Sequence, residues 1–133
     1  MIDIRSSLQE AVNLASQSDK NNKEIDQLIQ SVAQQIHDFS GGSATMAVRP
    51  KSLDDFELTV DLKNAHQDVI EIKVGEEAHK IAKFGRSQMG YPCTLIFGNG
   101  AIQALDKEAL GLAFSDLMKT HRVGTIIYDS INR

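Results

Sequence analysis

The chain has no tryptophan, a single cysteine, two prolines and no long apolar run. Each shortage excludes something. One cysteine, Cys93, forms no internal disulfide, so a reduced cytosolic compartment is the expected location. No stretch approaches the roughly 18 apolar residues that a membrane-spanning helix needs. The opening Met1-Ile2-Asp3-Ile4-Arg5 carries an acid where a signal peptide carries bases. Without tryptophan, Phe84, Tyr91 and Tyr128 are thin material for stacking single-stranded nucleic acid.

Positive charge is the minority sign: 14 bases face 18 acids, for a net charge of −4. The imbalance lies in residues 1–75, with 7 bases and 12 acids, against 7 and 6 in the remainder. Such a balance disfavours a non-specific grip on phosphate backbones and suits a protein partner with a basic face. At 133 residues, 41% apolar and 24% charged, the composition is that of one globular domain with a real core.

The hydrophobic pattern begins with period 3.6. Ile4, Leu8, Ala11, Val12 and Ala15 form one helical stripe. The polar run Ser18–Asn22 predicts a break, with Asn22 capping a second helix. Ile25, Leu28, Ile29, Val32, Ala33, Ile36 and Phe39 give that helix its apolar face, and Ser40-Gly41-Gly42 stops it. The middle switches to period 2. A short strand over 45–48 ends at Pro50, and strands are expected over 56–62 and 70–74. Over 76–84 two readings stay open: the Glu76/Lys80 spacing favours a short helix, and Ile81 and Phe84 equally suit an extended segment; a loop follows from Gly85 to Pro92. Thr94–Phe97 and Ala101–Leu105 read as strands joined at Asn99-Gly100, a type I′ hairpin signal. Asp106 caps a helix with Lys119, His121 and Arg122 at its C-terminal end, and a short terminal helix follows Gly124. Strands grouped between helices predict an α+β fold, with a roughly five-stranded antiparallel or mixed sheet, two N-terminal helices and one or two C-terminal ones.

Two functional readings follow. The first is a small protein-binding module of the immunity, inhibitor or accessory kind. Its contact residues are an acidic hairpin face (Asp54, Asp55, Glu57, Asp61, Glu71) or the 86–91 loop (Arg86, Gln88, Met89, Tyr91). Carboxylates in a row imitate phosphates against a basic partner, and Arg, Tyr and Met are frequent interface residues. This reading needs no cofactor and no enzymatic activity.

The second reading starts from Asp55 followed by Glu71-Ile72-Lys73. This spacing resembles the PD-(D/E)xK metal-dependent nucleases. There the resemblance implies that Asp55 and Glu71 hold a magnesium ion and Lys73 helps activate water, with Glu24 as a third acid. Pro50 is not adjacent to Asp55, so the Pro-Asp element is absent. His37, His66, His79 and His121 lack zinc-site spacing. Cys93, leading into an apolar strand, reads as a small core residue rather than a nucleophile.

Overall fold

The computed structural model describes residues 2–50 and 68–133. Its elements run α1 (Ile4–Phe39), β1 (Thr45–Pro50), β2 (Asp68–Val74), β3 (Glu77–Ser87), β4 (Gly90–Phe97), β5 (Gly100–Ala104), α2 (Lys107–Met118) and α3 (His121–Ile131). The fold is α+β, and the five strands among the described residues lie in sequence order, each antiparallel to the next. The strand expected over 56–62 lies outside the described residues.

The two expected N-terminal helices are one. Asp3 caps α1 by accepting from the Ser6 backbone N–H at 3.2 Å, and the helix then runs 36 residues, about 54 Å. Ser18–Asn22 does not interrupt it, because its polar groups find helix-compatible partners. Asn22 donates to the Ser18 carbonyl at 2.9 Å, Gln17 donates to Asn21 at 3.0 Å, and Lys23 pairs with Asp19 at 2.9 Å. A left-handed Gly41 and Gly42 end the helix, and Gly42 returns its N–H to the His37 carbonyl at 2.8 Å.

Of the two readings of 76–84, short helix or extended segment, the structure has the second, strand β3. Gly75, at φ 61°, makes a two-residue turn with Glu76 and sends the chain straight back along β2. A bulge opposite Ile70 and Glu71 leaves both Ile81 and Ala82 in the core. The expected loop after Gly85 is mostly strand as well, since β3 continues to Ser87 and β4 starts at Gly90. The third hairpin does fall near Asn99, but its turn is Gly98-Asn99. Only Gly98 is left-handed there, and Gly100 opens β5.

All three helices pack on one sheet face, α1 against β1 and β4, α2 against β4 and β5, and α3 against β3. Ile70, Ile72, Phe84, Leu95, Leu110, Phe114 and Leu117 fill the space between and are essentially inaccessible to water. Asp106 caps α2 as expected, accepting from the Ala109 N–H at 2.8 Å. Thr120 caps α3, so His121 and Arg122 begin that helix rather than end α2. Arg122 there donates to the Lys80 carbonyl at 2.9 Å, tying α3 to the sheet. Among the described residues no helix is long and apolar enough to cross a membrane.

Candidate protein-docking surface

Of the acidic set expected to face a partner, Asp54, Asp55, Glu57 and Asp61 lie outside the described residues. Glu71 lies within them and is buried. Its carboxylate accepts from Arg49 Nε at 2.9 Å, and the register sets Lys80 opposite it on β3. Alternation and register place Arg49, Lys73, Lys80 and Lys83 around Glu71 on the sheet face turned away from the helices. The described part of that face is therefore mainly basic, and Glu71 is engaged within the sheet rather than presented from it. Lys73 is exposed on the same face.

The 86–91 segment turns inward. Arg86 donates to Asn22 at 3.2 Å and to Asp26 at 2.9 Å, with its guanidinium 5.5 Å from the Phe84 ring centre. Ser18 donates to the Gln88 carbonyl at 2.7 Å, and Asn21 to the Met89 carbonyl at 2.9 Å. Tyr91 donates its hydroxyl to Glu24 at 2.7 Å. Burial and the Glu24 carboxylate together push that phenol well above its ordinary range. So Arg86, Gln88, Met89 and Tyr91 clamp α1 to the β3–β4 hairpin, and Glu24 serves the clamp. The same hairpin buries Cys93, and burial raises its thiol to about 11, far from a reactive thiolate. Among the described residues no three His, Cys, Asp or Glu side chains gather where they could hold a metal ion.

The clamp takes hold at Ser18, and the helix before it stands clear of the sheet. Residues 4–17 are exposed throughout. Hydrogen bonds there run within the helix, as from Gln9 to Asn13 at 3.0 Å. Yet the arm is apolar along one side, where Ile4 is 58% exposed, Leu8 60% and Val12 60%. The stripe recognised in the sequence is real, but it is not covered.

The other end of α1 borders a groove of about 560 Å³. Leu28, Val32 and Ile36 form one wall at successive turns of α1, and Phe114 and Met118 form the other on α2. Ile127 of α3 also lines it. Gly111 keeps the α2 wall low, with open space where a side chain would stand. Phe39 stands at the rim, 77% exposed. Sequence reasoning gave these α1 residues as one apolar helix face, and nothing in the pattern of α1 alone reveals that α2 stands far enough away to leave a channel. Comparison with protein-family models, with curated proteins and with solved structures found no match.

Proposed function

We propose that this chain is a small protein-binding module that takes an amphipathic helix of its partner into the groove between α1, α2 and α3. The observation that carries the reading is the groove itself. It is an apolar channel between helices with a large, exposed aromatic at its rim, the form in which helix-in-groove recognition is built. Phe39 is the expected contact at the rim, since aromatic side chains are enriched at protein interfaces and this one is exposed. The reading moves the contact from the acidic residues to the helical side of the molecule.

Salt separates the two. The tagged chain is purified gently from its native host in low and in high salt, beside a Phe39→Asp variant. An apolar dock keeps a stoichiometric partner in high salt and loses it in Phe39→Asp. A partner that is released by salt and indifferent to Phe39 refutes the groove and returns the contact to charge.

A further inference from the structure

We infer that the edge of β5 is a self-pairing surface, on which a second copy of the chain lays its own β5 antiparallel and continues the sheet across a two-fold axis. This surface is separate from the groove, so the inference stands independently of the helix-in-groove reading. Among the described residues β5 has one neighbour, β4, and its other backbone edge is unpaired. A row of free N–H and C=O groups is matched along its length by another strand. Edge strands are ordinarily guarded by charge, proline or a bulge. β1, at the opposite edge, carries Arg49 and ends at Pro50. β5 reads Gly-Ala-Ile-Gln-Ala, pairs with β4 without a register shift and has none of these guards.

The helix layer above the edge fits a second copy as well. After Leu105 and Asp106 the chain returns as α2, which packs over β4 and β5. Neighbouring strands lie about 4.8 Å apart. A helix centred over the β4–β5 pair therefore stands about 10 Å from its copy once β5 meets β5, a distance at which helices pack. A two-fold axis perpendicular to the sheet keeps both α2 helices on the same face. Placed at Ile102, that axis sets Gly100 opposite Ala104, and Ala101 opposite Gln103, of the other copy. Ile102 lies about 7 Å back from the end of β5, and Leu112 about 7 Å along α2, so Leu112 stands near the same axis. Leu112 is 63% exposed and does not line the groove. Leu105, directly after β5, is 70% exposed.

Charge does not oppose the contact. β5 has none, and each end of α2 carries one base and one acid, Lys107 with Glu108 and Asp116 with Lys119. Antiparallel packing of α2 on its copy thus brings no ends of one sign together. A five-residue strand pair with a helix pair above it hides on the order of 1,000 Å² counted on both copies. That is the lower limit for a specific interface, and micromolar association is expected from it.

The test is sedimentation of the full chain from about 1 to 100 µM, a range that brackets micromolar association. A monomer–dimer equilibrium is expected. The variants change exposed residues and are expected to leave circular dichroism unchanged. Leu112→Glu sets two carboxylates near the axis and weakens dimerisation at least tenfold. Ala101→Lys combined with Gln103→Lys sets lysine opposite lysine across the joined strands and does the same. Ala101→Lys combined with Gln103→Glu sets opposite charges there and keeps the dimer. Phe39→Asp, at the groove, also keeps it. A chain that is monomeric throughout overturns the self-pairing and leaves the groove reading untouched. A dimer indifferent to Leu112→Glu and to the double lysine variant overturns the β5 edge as its contact. Equal loss in the two double variants overturns the antiparallel register. A dimer lost in Phe39→Asp seats the second copy in the groove and overturns the edge pairing.

Discussion

Gly90→Ala tests the clamp that holds α1 on the sheet. Gly90 has φ 93°, a conformation costing an alanine about 1–2 kcal/mol. It also sits where a Cβ would lie 2.7 Å from Asn21 Cβ, 3.3 Å from Ile25 Cδ1 and 3.4 Å from the Asn21 carbonyl carbon. None of these is the free end of a long polar side chain, so the hairpin and helix must part. Overpacking of this kind costs about 1–3 kcal/mol. The bonds from Ser18 to the Gln88 carbonyl and from Asn21 to the Met89 carbonyl span the same gap and weaken with it. The expected loss is about 2–5 kcal/mol out of a typical total of about 5–15. Gly98→Ala is the control. Its φ is 58° and nothing lies within 4 Å of the added Cβ, so it bears only the backbone cost of about 1–2 kcal/mol. Urea unfolding of both variants gives the contribution of the close approach by difference. If Gly90→Ala is no less stable than Gly98→Ala, the helix and hairpin are not in the contact described here.

Three further outcomes follow from buried charge. Arg49→Ala takes the guanidinium from the buried Glu71 carboxylate, with Lys80 still opposite it, and is expected to cost about 2 kcal/mol in urea unfolding. Glu71→Gln costs less, because the Arg49 side chain is 31% exposed and can turn to water; equal losses would contradict the asymmetry. The native Cys93 thiol keeps its proton to about 11, while an unfolded thiol ionises near its ordinary 9.0. Its contribution to stability is therefore full below pH 9 and lost towards pH 11. Thermal melts of Cys93→Ala across that range should show a shallower alkaline decline, and an unchanged slope would place the decline elsewhere. Burial raises the Asp68 carboxyl, with Arg86 partly offsetting it. Its contribution is fullest in acid and falls as pH rises through the carboxylate range. Asp68→Asn should then gain stability relative to the wild type between acid and neutral pH, and a relative loss would reverse the assignment.

Much of the fold was legible where one local signal dominated. The stripes of α1, the Asp106 cap and the alternation of β2 all name their elements correctly. The misreadings arose where tertiary partners outweighed local preference. Ser18, Asn21 and Asn22 look like a helix break, but they bond to the β3–β4 hairpin from within a continuous helix. Glu76 and Lys80 have helical spacing, yet Gly75 sets a hairpin and Lys80 is drawn into the ladder opposite Glu71. Arg86 and Tyr91 have the chemistry of contact residues and spend it on α1. The groove depends on the distance between two helices, which no local pattern encodes. The arm was nearer to hand: its four-three repeat stays in phase through the polar run at 18–22, a sign of one long helix.

Hydrogen exchange across the chain, alone at low concentration and again when its contact is saturated, tests the docking surface most directly. Protection is expected to be gained over residues 28–39 and 111–118, with the β3–β4 hairpin and the outer sheet face unchanged. Protection confined to β2 and β3, with α1 and α2 unaltered, would contradict it.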